Sequence, residues 1–508
     1  MSQLDLCTGQ QAGSESRNTG NERAHHSPVD RAFHPVWNFT NGTSMRISAS
    51  VGRLALGLTA VAALTTATGF EAVAAVELSP EAAASALAEK SGKTVAVPSL
   101  TDETSTTVAN PDGSFTASIT SGPSNVELAD GTWKAVDTTL ETHGSVLKPR
   151  VSRVNIEVSA GGDGPLAKLV DDSGRVFAPR WPSPLSEPSV QGNVATFTDA
   201  AGQGADLVVT VLPTGFRYDV VLRDKPAGPL ELRIPVDTQG VDLQATPDGG
   251  LQLKSADGGV VAAAAQPLAY DSSGRGKARG GAVSKIASAV ETQDGVKVLV
   301  LKPDTSFLAD PARVYPVTLA PAITLPGVVT DTDVATSWAS HPGDVMIIAG
   351  TMPWENGQGD DVMRSLIKFD TQKINGKRVI LAGLGMWNLE TNACGAEVGS
   401  GLTAERITSP WDETNLNWGN KPSTTHQGAS TNRAGRGRTW TEPCAAGAGF
   451  LAWPVTDIAK AWAGGAPNHG IQLRGADENE KTNWRAFAAS ENKNEGVHPP
   501  TLTVAYWR

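Results

Sequence analysis

Ser365-Leu-Ile-Lys368 has the S-x-x-K spacing with which serine acylases set an amine beside a nucleophilic hydroxyl. That chemistry needs a helix to bring the two side chains together. Here polar and apolar residues alternate through Arg364-Ser-Leu-Ile-Lys-Phe-Asp370, the period of a strand, and residues three apart on a strand face oppositely. No Ser-Asp-Asn or Lys-Thr-Gly partner accompanies the pair, and the chain has no G-x-S-x-G, H-E-x-x-H or phosphate-loop motif. Paired carboxylates are the next candidates, because the two acids of a glycosidase need only be close in space. Asp360-Asp361 and Asp477-Glu478 qualify by composition, and Asp331 with Asp333 has a spacing that suits a structural calcium ion. Neighbouring acids in Gly-rich sequence are usually just solvated, so no catalytic residue, cofactor or metal ligand is assigned. His341, His426, His469 and His498 stand singly among loop-like neighbours and read as surface residues.

Binding makes a different demand. Sugars are held by aromatic faces against their C–H surfaces, with charged or amide groups fixing the hydroxyls. Trp338, Trp354 and Trp440 lie in stretches rich in Gly, Asn, Ser and Thr, which makes them candidate platforms. Arg433, Arg436 and Arg438 precede Trp440 and could meet uronic-acid carboxylates through bidentate pairs. Trp484 with Arg485 is a second such combination. The competing reading of each is a loop residue packed against the domain.

Composition narrows the classes. Across 508 residues, 40% are hydrophobic and 19% charged, with a net charge of −11. An acidic chain lacks the basic surface that displaces counterions from nucleic acid, so a general nucleic-acid partner is excluded. Gly and Pro number 53 and 32, a content typical of turn-rich β proteins.

The elements that must position these residues are strands. Asp-Gly pairs at Asp112-Gly113, Asp130-Gly131, Asp163-Gly164, Asp248-Gly249, Asp257-Gly258 and Asp294-Gly295 mark tight turns. Between them run alternating segments such as Ala205–Leu212, Phe216–Leu222 and Val296–Leu301. The Gly-rich stretch with Arg275, Lys277 and Arg279 reads as a solvated loop. Ser79-Pro-Glu81 opens a short Ala-rich helix that Gly92 stops, read as a linker over 76–100. From Pro316 to Pro326 the composition shifts, and ten of the thirteen Trp follow. The expected domains are therefore a β-rich region over 101–322 and a second one over 323–508. In the latter, Trp411, Trp418 and Trp462 sit among apolar neighbours and read as core. Thr456 is placed to cap a helix carrying Ile458, Ala459 and Trp462.

Residues 45–75 read as a secretory signal, with Arg46 and Arg53 before the apolar run and Ala72-Val-Ala-Ala75 after it. The preceding 1–44 are polar and aperiodic, and a start at Met45 is the simpler reading. Signal cleavage leaves no membrane segment and removes Cys7. Cys394 and Cys444 remain, and two thiols in an exported chain favour a disulfide, which constrains the unfolded state by about 4 kcal/mol.

Several ordered motifs follow residue 323: Arg364-Ser-Leu-Ile-Lys-Phe-Asp370, Ile407-Thr-Ser-Pro-Trp-Asp-Glu-Thr414 with Trp418-Gly-Asn-Lys-Pro422, and Pro454-Val-Thr-Asp-Ile-Ala-Lys-Ala-Trp462. Gly470-Ile-Gln-Leu-Arg474, Trp484-Arg-Ala-Phe487 and Pro499-Pro-Thr-Leu-Thr-Val-Ala-Tyr506 complete the set. This order resembles the DNRLRE domain, a jelly-roll β-sandwich related to carbohydrate-binding module family 96. Asn110-Pro-Asp-Gly113, Gly131-Thr-Trp-Lys-Ala-Val-Asp137, Gly204-Ala-Asp-Leu207 and Tyr315-Pro-Val317 are similar to segments that precede such domains in secreted actinobacterial proteins with RHS/YD repeats. The resemblance implies an all-β, secreted, cell-wall-associated, non-catalytic protein. Its C-terminal sandwich would bind a polysaccharide, either a cell-wall or an acidic glycan. The alternatives are an interaction protein with an envelope protein as partner, and a polysaccharide hydrolase or lyase.

Overall fold

A computed structural model describes residues 78–508 except 248, 265, 275–281, 321, 325–330, 338–345, 354–359, 414–415, 491 and 493–497. The segment read as a signal, the basic loop around Lys277, and the candidates Trp338 and Trp354 lie outside the described residues. Strands make up 51% of the structure and helices 9%, in antiparallel sheets, as expected of an all-β protein. No described helix is long and apolar enough to cross a membrane.

Residues 137–324 close on a core of their own. On Ala205–Leu212, Leu207, Val209 and Val211 point inward; on the paired Gly215–Leu222, Phe216, Tyr218 and Val220 do the same. An eight-stranded and an eleven-stranded sheet enclose this cluster. Asp294 and Gly295, with φ of 50° and 82°, join Ala287–Gln293 to Val296–Lys302. Two consecutive positive φ values give the two-residue turn whose twist matches the flanking strands, hence Asp-Gly.

The second core differs from the sequence expectation in its boundaries. The helix Pro80–Ser91 forms as expected, with Ser79 accepting the Ala82 N–H at 3.3 Å and Gly92 at φ 66° ending it. It is not a linker. Ala84 and Ala88 are buried in the C-terminal core, and small side chains allow that close approach. Strands Ser105–Ala109 and Phe115–Thr120, expected in the first domain, also belong to the second. Phe115–Thr120 pairs along Thr501–Trp507, and Phe115, Ala117 and Ile119 fill the same core. Left alone, this hairpin would have nowhere to bury those side chains and Thr501–Trp507 would be an open edge. The 137–324 region is thus inserted into a discontinuous sandwich. Its two crossing points meet where the Ser121 hydroxyl donates to the buried Asp331 carboxylate at 2.5 Å, which also accepts the Ser490 N–H at 3.1 Å.

The sandwich is one thirteen-stranded sheet folded on itself. One layer contains Asp331–Ala335, Asp360–Ile367, Ile471–Gly475, Leu402–Ile407 and Thr424–Asn432. The other contains Gly449–Pro454, Arg378–Thr391, Thr501–Trp507, Phe115–Thr120 and Ser105–Ala109. Trp453 spans the gap and donates its indole N–H to the Leu402 carbonyl at 2.8 Å. The helix Thr456–Ala463 buries Ile458, Ala459 and Trp462 as expected, but Val455 is its N-cap. Thr456 Oγ1 instead accepts the Ala382 N–H at 3.0 Å, spent on docking the helix to the sheet.

Candidate functional site

Strand alternation divides Arg364–Asp370 between two environments. Ile367 and Phe369 enter the main core, while Leu366 joins a smaller cluster on the outer face with Val334, Ile407, Trp411, Leu416 and Trp418. The S-x-x-K pair is separated accordingly. Ser365 is fully buried, whereas Lys368 lies 4.2 Å over the Trp411 ring and donates to the Trp411 carbonyl at 3.0 Å. Trp411 is core, as expected. Trp418 is only partly buried, and what surrounds it is the candidate site.

Neighbouring strands bring charged side chains onto this outer face. In register, Leu366 opposes Gln472, Gln472 opposes Glu405, and Arg474 opposes Thr403. Arg364 makes a bidentate pair with Glu478, at 2.8 and 2.9 Å. Arg474 bridges Glu405 at 3.0 Å and Glu478 at 3.4 Å. Glu405 also accepts the Thr424 hydroxyl at 2.5 Å and lies 3.1 Å from His426 Nδ1. Over this network the Trp418 indole is flanked by two cations, the Arg364 guanidinium at 5.1 Å and the Lys421 ammonium at 4.2 Å from its centroid. Lys421 is anchored by donating to the Trp418 carbonyl at 2.8 Å.

The protonation states follow from these contacts. Burial alone pushes the Glu405 carboxyl up, but the Thr424 and Arg474 hydrogen bonds and the Arg474 charge outweigh it and hold the group below its ordinary value. An ionised, saturated carboxylate is a poor general acid. At Lys421, burial and then the neighbouring Arg364 charge bring the ammonium below the ordinary lysine range. The chemistry available is therefore charge-assisted recognition beside an aromatic face, suited to a ligand that carries both an anion and a C–H surface.

The residues singled out from sequence fall elsewhere in the sandwich. Trp484 and Arg485 are 1% and 0% exposed, which removes them as a surface platform. Arg485 donates to the carbonyls of Ala434, Val398, Trp484 and Arg433 and to Asn483 Oδ1, over 2.9–3.3 Å. Burial brings its pKa down to about 10. It is a clamp that ties two loops together. Trp440 is partly buried and stacks on Trp484 at 5.5 Å. Arg433 pairs with Glu397 at 3.0 Å, Arg436 donates to the Ala446 carbonyl at 3.1 Å, and Arg438 is exposed. The expected Cys394–Cys444 disulfide is formed, across a separation of 50 residues, and staples this loop to the strand end. Gly437, at φ 86°, lets the loop backbone pass; a Cβ there would sit 1.8 Å from the Leu389 oxygen.

The carboxylates considered for catalysis or calcium are engaged by neighbours. Asp361 accepts the hydroxyls of Thr336 and Ser337 at 2.7 and 2.6 Å, and Asp360 pairs with Lys481 at 2.6 Å. Asp333 accepts the Ile348 N–H at 2.7 Å. Among the described residues no group of three or more ligating side chains converges. Two histidines read as solvated also have partners, His426 on Glu405 and His498 stacked on Trp387. The sequence drew attention to Glu478 only as half of a carboxylate pair, and Arg364, Glu405, Lys421 and Arg474 were not singled out. Their strand neighbours were visible, but pairing across four strands is not written in one segment.

With this geometry in place, the chain can be set beside known proteins. It is 25% identical over 293 residues to the tRNA nuclease WapA of Bacillus subtilis (strain 168), to the tRNA3(Ser)-specific nuclease WapA of Bacillus spizizenii, and to the tRNA(Glu)-specific nuclease WapA of Bacillus subtilis subsp. natto. Each alignment takes in 52% of this chain and 11% of the relative, so the chain spans a small part of the length of the curated relatives it matches. Residues 349–506, which hold the Arg364–Trp418 cluster, match the model of carbohydrate-binding module family 96, and this supports a carbohydrate-binding role for the C-terminal sandwich.

Proposed function

We propose that this is a secreted, non-catalytic protein of the cell surface whose sandwich binds an acidic polysaccharide, such as a uronic-acid-bearing wall glycan. The observation that carries this reading is Trp418 with the Arg364 and Lys421 cations 5.1 and 4.2 Å from its ring centroid, within the family-matched region. A sugar carboxylate entering this cluster would meet both cations with its ring beside the exposed edge of the indole, and Glu478 would share Arg364 with it. The nuclease activity in the relatives' names belongs to proteins of which this chain matches 11%, and it is not carried over.

Affinity electrophoresis of the purified full chain in gels containing polygalacturonate, alginate or neutral dextran tests the reading. Retardation by a polyuronate and not by dextran is expected, and Lys421→Ala and Trp418→Ala should each weaken it by about tenfold, or roughly 1.4 kcal/mol. Equal mobility in all gels would turn attention to an envelope protein partner, and release of reducing ends or unsaturated sugars would make the protein an enzyme. Export is tested separately, by finding the chain in the medium with its N-terminus cut near residue 75.

A further inference from the structure

The face of the sandwich on the layer away from Trp418 has a different chemistry. Five strands lie side by side there, and register aligns Pro454, Gly383, Thr503, Ser118 and Thr106 in one row across them. Every residue of that row is at least partly exposed and none carries a charge. The row on one side is Ala452, Gly385, Thr501 and Thr120, and the row on the other is Leu381, Ala505, Thr116 and Val108, so both are uncharged and the second is partly apolar.

At one end of this floor stands an aromatic group. Trp387 opposes Phe450 across the strand pair, edge to face at 5.0 Å. His498 stacks on Trp387 at 3.8 Å and 16°, and meets Phe450 edge-on at 5.7 Å. All three rings are partly exposed. Gly385 lies beside them, with the Phe450 ring 3.5 Å from where a Cβ would sit.

We infer that this face is a second carbohydrate-contact surface, for a neutral polysaccharide presented as an extended chain or sheet. The inference rests on the carbohydrate-binding reading of the sandwich but not on the charged cluster. Partly exposed rings offer C–H stacking, a flat hydroxyl-rich floor offers hydrogen bonds, and the lack of charge removes any counter-ion for an anionic ligand. A protein partner is the poorer fit, because protein interfaces are depleted in Ser and Ala and enriched in Arg and Met. The strands Ser105–Ala109 and Phe115–Thr120 lie outside the matched residues 349–506. They widen the floor from three strands to five, about 19 Å across at the usual strand spacing.

The test is co-sedimentation of the full chain with microcrystalline cellulose, chitin and curdlan, at high salt to suppress charge effects. Trp387→Ala removes the stacked ring, and Thr503→Arg places a charge mid-floor at a partly exposed strand position. Retention on at least one solid is expected, with both variants reduced by about tenfold and Lys421→Ala unchanged. Thr503→Arg with an unaltered near-ultraviolet spectrum separates lost binding from lost folding. Failure of the wild type to sediment with any of the three solids, or wild-type retention by both variants, overturns the inference. Polyuronate retardation measured on the same proteins reports the charged face independently, so the two readings fail separately.

Discussion

The inserted 137–324 region and the sandwich that surrounds it are built from the same kind of antiparallel strand, yet they spend their charges and rings differently. On the insert, bases are matched to acids on nearby strands: Arg233 with Glu231 and Glu291 at 2.8 and 2.5 Å, Lys148 with Glu157 at 2.7 Å, Lys297 with Asp242 at 2.9 Å. Phe177 and Phe216 stack at 6.1 Å in its core, and of its partly exposed rings Phe307 lies under the Arg313 guanidinium, which is itself paired with Asp271 and Asp310. In the sandwich, Trp418, Trp387 and Phe450 are held at the surface by cations and by other rings. Keeping apolar rings at the surface forgoes burial, and a surface group that persists at that cost points to something it contacts. The comparison places the surface-held Trp418, Trp387 and Phe450 in the part of the chain that matches the carbohydrate-binding family model.

The strongest way to break this division is to cut the chain by domain. Deleting residues 1–120 strips the core of Ala84, Ala88, Phe115, Ala117 and Ile119 and opens the Thr501–Trp507 edge; the fragment 121–508 should aggregate or lose its cooperative melt. Replacing 125–327 by a short Gly/Ser linker should leave a folded sandwich, since both crossing points meet at Ser121 and Asp331. A stable 121–508 fragment, seen by calorimetry, would refute the discontinuous sandwich.

Next in size are the staples. Arg485→Ala leaves several buried carbonyls unpaired and should cost about 3–5 kcal/mol in denaturant melts. Loss of the Cys394–Cys444 bridge by double Ser substitution should cost about 4 kcal/mol.

Acid should act through Glu405. Its folded pKa is depressed, so the stability it contributes is present above its ordinary 4.5 and is lost as pH falls through the folded value. A pH series of melts should show the wild type losing stability below that point, with a shallower acid limb for Glu405→Gln. Equal acid limbs would mean the network contributes nothing. The smallest effect belongs to the insert: Arg233→Ala, in a solvent-facing ladder, should leave the melting midpoint and glycan binding unchanged.

What was legible in the sequence was local. Alternation located Ala205–Leu212 and, as Val296–Leu301, all but the last residue of Val296–Lys302; Asp294-Gly295 marked the hairpin before it, and two thiols in a chain read as exported gave the disulfide. The domain boundary was not legible, because the Ala-rich helix Pro80–Ser91 has few large apolar residues and the hairpin that follows finds its core nearly four hundred residues later. For the same reason Trp484 and Arg485 looked like a surface pair. A buried Arg is rare enough to be read as exposed, and only the carbonyls of two distant loops explain its burial. The charged cluster escaped because Arg364, Glu405, Arg474 and Glu478 come together only through strand pairing.

The most direct measurement is titration calorimetry of the full chain with defined oligouronates, beside Trp418→Ala and Lys421→Ala. The account predicts measurable binding that weakens by about tenfold in each variant, and wild-type binding that declines at alkaline pH as Lys421 loses its charge earlier than an ordinary lysine. Oligouronate binding that survives both substitutions and is flat across that pH range would contradict it.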